Sequence, residues 1–594
     1  MRRSAIGPAV GLGLALAVLS ACAPAAIRPR LALGPSETRW VSRTLARMTL
    51  EQKVGQLVGI RCNVRFLNRE DPGLRTLRDL VVKRGVGSLC LFGGGVYEAA
   101  FLTNALQRLA DVPLLIASDL ERGAGGQLEG ATAFPPLMAL GAIGSEETAY
   151  AMGRITALEG RAMGIHLTFA PVLDVNINPD NPIISTRSAG EDPAQVGRLG
   201  TAFIRGSQDS GLLATAKHFP GHGDTAVDSH IALPSVPGDR ERLERVELAP
   251  FRQAIDTGVH AVMVAHLAVP ALDPIPSTPA SLSPAIVTGL LRGQLGFQGL
   301  IVSDAMDMGG ITTLHPAGEA AVLAVLAGID LVLLPADADQ ALDALLQAVR
   351  DGRISRRRLD DSVGRILTAK AGVGLHKNKL TDPAALEAVV ASKESRAVAL
   401  KAFENAVTLV KNDGPVLPLA AAGRKVAVFS LSSDAGDYFI GRPMAQEIAK
   451  RLKAPEDGMF FYADAFTGAE YIDDALAKAK SADAVVVGLF SRVTSSKGSA
   501  DINPRHVAAV KRLAADGAKG IVVSFGSPYV LRHFPEVQAY LCAYRSSAEA
   551  QAAAVKALFG EMETQGKLPV SLPGLYPRGH GLRLSAAEAP LTKR

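Results

Sequence analysis

Fourteen residues, Lys217-His-Phe-Pro-Gly-His-Gly-Asp-Thr-Ala-Val-Asp-Ser-His230, gather three histidines, two aspartates, a lysine and two glycines. Three kinds of chemistry compete for this segment. His218, His222 and His230, with Asp224 or Asp228, are donor types for a metal. Against that, the stretch has no HExxH frame and no Cys pair, and a Pro-Gly loop is a poor rigid platform for ligands. Gly221-x-Gly223-x-x-Ala226 formally fits a dinucleotide fingerprint, but that motif must open a helix, and Val227 to Pro234 carry no helical pattern. The third is acid/base work by Asp228 and His230. At two residues' separation a turning backbone brings the carboxylate to one imidazole nitrogen. That contact fixes the tautomer, favours the imidazolium and leaves the other nitrogen to give a proton.

A second segment is Ile301-Val-Ser-Asp304-Ala-Met-Asp307-Met. An apolar run that ends in a carboxylate suits a nucleophile or an electrostatic stabiliser. Asp304 stands at the end of the run; Asp307, the competitor, lies three residues further on. Cleavage of a glycosidic bond with retention needs a nucleophilic carboxylate and a separate proton donor. Asp304 and the Asp228–His230 pair can fill those two roles.

Such groups need a frame to hold them together. Between about 40 and 375 eight short apolar runs alternate with helical patterns such as Leu243–Asp256 and Glu319–Leu326. The runs are Leu57–Cys62, Val86–Phe92, Pro113–Asp119, His166–Val175, Leu212–Phe219, His260–Val269, Leu300–Met306 and Ile329–Leu334. Near-continuous apolar runs are what strands buried on both faces of a parallel sheet look like. Eight of them predict a closed (β/α)8 TIM-type barrel rather than an open doubly wound sheet. Asp119, Asp174, Lys217-His218, His266 and Asp304 all fall at the C-terminal ends of the runs, which in a barrel share one mouth.

The stretch Val373–Asp382 marks a boundary, followed by a connector helix over 376–404 that extends to about Lys411. A second, sandwich-like α/β domain is expected over 405–594, with strands Lys425–Ser430, Ala484–Phe490, Gly520–Phe525 and Ala539–Ala543 and a frayed polar tail from about Tyr576.

Of the 594 residues 48% are hydrophobic and 20% charged, and the net charge is only +5, which excludes a disordered chain and argues against nucleic-acid binding. Residues 1–21 read as a secretory signal: Arg2 and Arg3, an apolar stretch from Ala5 to Val18, then small residues. Leu19-Ser20-Ala21-Cys22 resembles the bacterial lipoprotein signal, which implies lipidation at Cys22, a tether over 22–39, and an exported protein on the periplasmic or cell-surface side, anchored to a membrane. Cys62 and Cys90 sit in apolar runs and are expected to be buried free thiols.

The chain resembles glycoside hydrolase family 3, in its β-N-acetylhexosaminidase branch, whose signature Lys-His-Phe-Pro-Gly-His-Gly, four residues, Asp-x-His is matched from Lys217 to His230. Ala117-Ser-Asp119-Leu-Glu121, Phe169-Ala-Pro-Val-Leu-Asp174-Val-Asn176, Arg187-Ser-Ala-Gly-Glu-Asp-Pro193 and Ser303-Asp304 support it, and Ala406-Val-Thr-Leu-Val-Lys-Asn-Asp resembles the start of the family's second domain. The resemblance implies Asp304 as nucleophile, His230 as acid/base with Asp228 its partner, and Asp119, Arg187, Lys217 and His218 as sugar-binding positions. It implies a retaining exo-β-N-acetylglucosaminidase acting on GlcNAc-terminated glycans such as cell-wall fragments, with no cofactor and no metal. Another exo-glycosidase, such as a β-glucosidase, and a non-catalytic sugar-binding lipoprotein are the alternatives. A histidine donor leaves no negative charge behind after proton transfer, so phosphate in place of water is conceivable, with hydrolysis the expected reaction. The sequence departs from the pattern at Gln127, where many members carry an arginine.

Overall fold

A computed structural model describes residues 31–585 apart from 274, 276, 415, 420–423, 454–458, 494–495, 500 and 516–519. The proposed signal segment and Cys22 lie outside the described residues. Among the latter, no helix is long and apolar enough to cross a membrane.

All eight expected runs form strands: β1 Val58–Asn63, β2 Ser88–Phe92, β3 Leu115–Ser118, β4 Leu167–Thr168, β5 Leu213–Phe219, β6 Ala261–Val264, β7 Leu300–Ser303 and β8 Val332–Leu333. They pair in parallel in the order β7-β6-β5-β4-β3-β2-β1-β8. The remaining seam is joined by a Val302–Leu331 bridge and the Ser303 N–H donating to the Leu331 carbonyl at 3.1 Å, so the sheet curls into a TIM-type barrel. Strands β2, β3, β5, β6 and β7 are buried almost throughout, as the unbroken apolar runs require. The ladder of β4 is much shorter than its apolar run. Pro171 lacks the N–H that a ladder position needs, and beyond it only Val172 bridges to Lys217.

The helical pattern at 243–256 resolves into two helices, Arg240–Arg245 and Leu248–Thr257, whereas that at 319–326 is one, Ala317–Ala327. Asp192, Ser145, Asp337 and Ser355 cap barrel helices with side-chain oxygens that accept the orphan N–H groups of the first turn. A helix at Pro35–Arg47 takes up the last residues of the expected tether, and its Trp40 ring lies 6.0 Å from that of His376.

The second domain is a six-stranded sheet in the order β11-β10-β12-β13-β14-β9. The four expected strands are β10 Val426–Ser432, β12 Ala484–Phe490, β13 Gly520–Ser524 and β14 Ala539–Cys542; β9 Thr408–Asn412 and β11 Phe460–Ala463 were not expected. The connector expected as a helix from 376 is a short helix at Leu386–Val389 and a longer one over Lys393–Ala406, which stops short of the expected Lys411 because the chain there turns into β9 and pairs antiparallel with β14. Helices Arg442–Leu452 and Ala548–Leu558 cover one face; Ala469–Ala479 and Pro504–Ala515 cover the other. The polar tail is not frayed up to Ser585. Leu582 pairs with Leu409 of β9, and the Leu584 N–H donates to Thr564 Oγ1 at 2.9 Å, so backbone pairing holds a segment whose composition alone promises nothing.

Barrel residues Met138, Ala139 and Ala142 share a core with Tyr529, Leu568 and Val570 of the second domain. Asn176 Nδ2 donates to Tyr529 Oη at 3.1 Å and Arg578 pairs with Asp192 at 2.6 Å across the same interface. Cys62, Cys90 and Cys542 are free and buried.

Candidate active site

At the C-terminal ends of the barrel strands lies a cavity of about 480 Å3. Asp119, Arg187, Lys217, His218, His230 and Asp304 all line it; Asp228 stands immediately behind His230. The barrel thus brings the two segments and the strand ends to one mouth, with Asp174 and His266 behind the lining and Asp224 turned away to pair with Arg242 at 2.7 Å.

One wall is a buried ion network. Lys217 Nζ lies 2.7 Å from both Asp119 Oδ1 and Glu121 Oε1. Arg187 grips Glu121 with two parallel bonds, Nε to Oε2 at 3.0 Å and Nη2 to Oε1 at 2.7 Å. Burial opposes the charge on Glu121, but Arg187 and Lys217 overcome it and hold the carboxyl well below its usual range. Burial likewise opposes the Lys217 ammonium, and Asp119 with Glu121 raises it. Glu121 was not among the sequence candidates, although its place two residues after a strand-end aspartate was a usable signal.

His218 Nδ1 lies 2.7 Å from Asp174 Oδ2, and Arg187 Nη2 donates toward His218 Nε2 at 3.3 Å. This pattern assigns Nδ1–H to the aspartate and leaves Nε2 as acceptor. Asp174 also takes the His222 N–H at 2.7 Å, while His222 turns its ring to Thr225 Oγ1 and Ser229 Oγ. The three histidines of the motif therefore face three different partners, and among the described residues no His, Cys, Asp and Glu cluster is arranged to hold a metal. The dinucleotide fingerprint also fails, because turns follow it and the next helix starts only at Arg240.

The motif glycines serve close packing. A Cβ on Gly223 would stand 1.8 Å from the Val175 carbonyl oxygen, and Gly221 sits at φ 130 against the Glu247 side chain. Gly223→Ala is expected to lower both Tm and kcat/KM, since backbone must shift to admit the methyl; a parental melting curve with parental kinetics would contradict this packing.

Asp304 follows β7. Its Oδ1 accepts the Ala305 N–H at 2.8 Å. Burial pushes the carboxyl up, but His218 and His266, then the Ala305 N–H and His230, pull it down to about 2. His266 itself sits beneath the site: its Nδ1 meets Ser281 Oγ at 2.7 Å and its Nε2 meets the Ala305 carbonyl at 3.0 Å. Burial lowers its pKa despite the nearby Asp304, and its two hydrogen bonds brace the segment after the carboxylate. Asp307 is tied to Arg61 at 2.9 Å, and Arg61 lies over the Phe92 ring. This pair, which the sequence did not suggest, also lines the cavity. Gln127 lines it too, next to Arg122, whose Nε is buried without a hydrogen-bond partner.

His230 Nδ1 lies 2.8 Å from Asp228 Oδ1, and the His230 N–H donates to the same oxygen at 2.9 Å. Asp228 is fully buried and His230 partly open to the cavity. Burial raises the Asp228 carboxyl, but the bonds from the His230 ring and backbone outweigh it and lower its pKa. The Gly309 and Gly310 N–H groups donate to the His230 and Ser229 carbonyls at 3.2 and 3.0 Å, tying this loop to the segment that follows Asp304.

Below the loop, Glu247 is buried against Arg242 at 2.7 Å, with Oε2 unpartnered. Burial raises its pKa to about 7, more than Arg242 lowers it. A folded-state pKa above the unfolded value means stability present at acid pH and lost as pH rises through about 7. Glu247→Gln is therefore expected to melt closer to the parent, or above it, as pH goes from 5 to 8; a gap that widens against the variant would show that the Arg242 pair dominates.

Residues 49–369 match the glycosyl hydrolase family 3 N-terminal domain and residues 407–581 its C-terminal domain. Beta-hexosaminidase A of Pseudoalteromonas piscicida is 31% identical over 555 residues, 84% of this chain and 91% of that protein. A β-N-acetylglucosaminidase/β-glucosidase of Cellulomonas fimi is 35% identical over 388 residues, covering 64% and 68% of the two. The solved structure of a family 3 β-N-acetylglucosaminidase from Paenibacillus sp. str. FPU-7 superposes with a TM-score of 0.75 at 35% identity, over 88% of this chain and 99% of that one. With barrel and second domain matched in sequence and in shape, the chain belongs to glycosyl hydrolase family 3 and is a glycoside hydrolase.

Proposed function

We propose that the protein is a retaining exo-β-N-acetylglucosaminidase that removes terminal GlcNAc from cell-wall fragments or related glycans. The observation that carries this is one cavity lined by both Asp304 and His230, with the Asp119–Lys217–Glu121–Arg187 network along its wall. Carboxylates and fixed cations suit sugar hydroxyls, which accept and donate at once. The names of the Pseudoalteromonas, Cellulomonas and Paenibacillus relatives favour GlcNAc, with β-glucosides as the competing substrate.

In the first step an Asp304 oxygen attacks the anomeric carbon as the bond to the leaving oxygen breaks. His230, whose Nδ1–H is held by Asp228, donates its Nε2 proton to that oxygen. In the second step the neutral Nε2 takes a proton from water as the water oxygen displaces Asp304 from the sugar. Asp119 and Lys217 hold hydroxyls at the wall. No step calls on a cofactor. Export and anchoring through Cys22 complete the proposal, on the strength of the N-terminal sequence alone.

A slow 2-fluoro donor should leave a sugar on the peptide that contains Asp304, seen as a mass increment after digestion. An adduct on Asp307, or none with full turnover, would refute the nucleophile. Nitrophenyl β-GlcNAc should turn over with higher kcat/KM than nitrophenyl β-glucoside, and the reverse order would make the protein a β-glucosidase.

A further inference from the structure

Asp228 accepts three hydrogen bonds, and one comes from outside the barrel. Its Oδ1 takes the His230 ring and backbone N–H groups; its Oδ2 takes the backbone N–H of Ser496 at 2.8 Å, from a residue 268 positions away in the second domain. Ser496 stands at φ 64, a left-handed conformation that costs a non-glycine residue energy and persists only where surroundings hold it. They do. Lys497 pairs with Asp434 at 2.7 Å, and Arg492 pairs with Asp434 at 3.2 Å and with Asp437. Val493 lines the catalytic cavity itself.

We propose that the second domain is a working part of the acid/base machinery: the Ser496 N–H positions Asp228, and through it the His230 ring, for proton transfer to the leaving oxygen. The inference rests on the dyad proposed above. The physical reason is that a buried carboxylate oxygen must be bonded to stay ionised and still. With Oδ2 fixed by Ser496, Asp228 cannot rotate about its side-chain bond without losing a partner. Oδ1 therefore stays aimed at His230 Nδ1, and Nε2 keeps one direction. Gly309 and Gly310 hold the same loop from the barrel side, so the dyad is gripped between two domains. Ser496 is a positioning residue, since it acts only through Asp228.

The test uses the full chain and kcat/KM for two aryl β-GlcNAc substrates. A 2,4-dinitrophenyl group leaves without protonation; a 4-methoxyphenyl group needs the proton. His230→Ala is the reference and should lose about 100-fold or more on the methoxyphenyl substrate and far less on the dinitrophenyl one. Ser496→Pro deletes the N–H and, with φ fixed at about −65°, also draws the loop off its positive φ, so the bond to Asp228 is lost on both counts. It should follow the same pattern at about ten-fold, with less than about three-fold loss on the activated substrate. Ser496→Gly keeps the N–H, suits the positive φ and should return the parental ratio of the two rates. A Ser496→Pro enzyme that treats both substrates alike, while His230→Ala discriminates, overturns the inference and leaves the dyad standing. If His230→Ala fails to discriminate, the dyad is wrong and the inference falls with it. Should Ser496→Pro not fold, Arg492→Ala with Lys497→Ala cuts the anchors at Asp434 and is read by the same two criteria.

Discussion

Asp304→Asn should lower kcat/KM on nitrophenyl β-GlcNAc by about 10^4-fold, about 5 kcal/mol of transition-state stabilisation, with the protein still folded. The amide keeps the size of the carboxyl and one acceptor oxygen for the Ala305 N–H, but it cannot attack the anomeric carbon. Asp307→Asn is the contrast. It breaks a half-exposed pair with Arg61, and such pairs carry about 0–1 kcal/mol, so its loss should stay within about ten-fold. Kinetics of both variants beside their melting curves decide between the two aspartates: equal losses, or a larger one at 307, would reverse the assignment. The low pKa adds a pH criterion. With its carboxyl held to about 2, Asp304 is ionised at every pH above about 4, so its protonation removes no activity in that range.

Glu121→Leu should cost about 3–5 kcal/mol of stability and most of the activity, because it strands two buried cations. Arg187 would lose both bonds of its fork, and Lys217, its side chain only 3% exposed, would keep Asp119 alone. The leucine has similar bulk, so the loss is electrostatic rather than a cavity. Urea unfolding at pH 7 measures it, and a midpoint equal to the parent's would mean the network contributes nothing. The sign with pH follows from the direction of the shift. A depressed folded-state pKa gives stability that is complete above the ordinary carboxyl value near 4.5 and fades as pH falls below it. The gap between parent and variant should therefore be widest at neutral pH and narrow toward pH 3.

The network also accounts for why a charged wall is tolerated at all. An isolated Lys217 or Arg187 at this depth would be driven toward its neutral form by desolvation. Glu121 and Asp119 set two carboxylates against the two cations, so the formal charges of the four groups cancel. Gln127, a neutral amide, and Arg122 line the same cavity.

Local patterns in the sequence determined the barrel. Eight apolar runs became eight parallel strands because side chains buried on both faces leave no polar alternation, and that requirement acts within five or six residues. Asp304, Asp119 and the Lys217–His230 motif were legible for the same reason: strand-end position is a local property, and a barrel sends all such ends to one mouth. What stayed hidden depended on long-range pairing. Strand β9 lies at the end of the sheet order, paired with β14 and, at Leu409, with Leu582, and the tail up to Ser585 is ordered by that neighbour rather than by its own composition. Glu121 gains its meaning from two cations 66 and 96 positions further along, and Asp228 from an N–H donor in another domain. Apolar periodicity announces burial but cannot announce a partner. Which charges meet at the mouth, and which domain holds the histidine's aspartate, was decided only when the tertiary structure brought distant segments within hydrogen-bond reach.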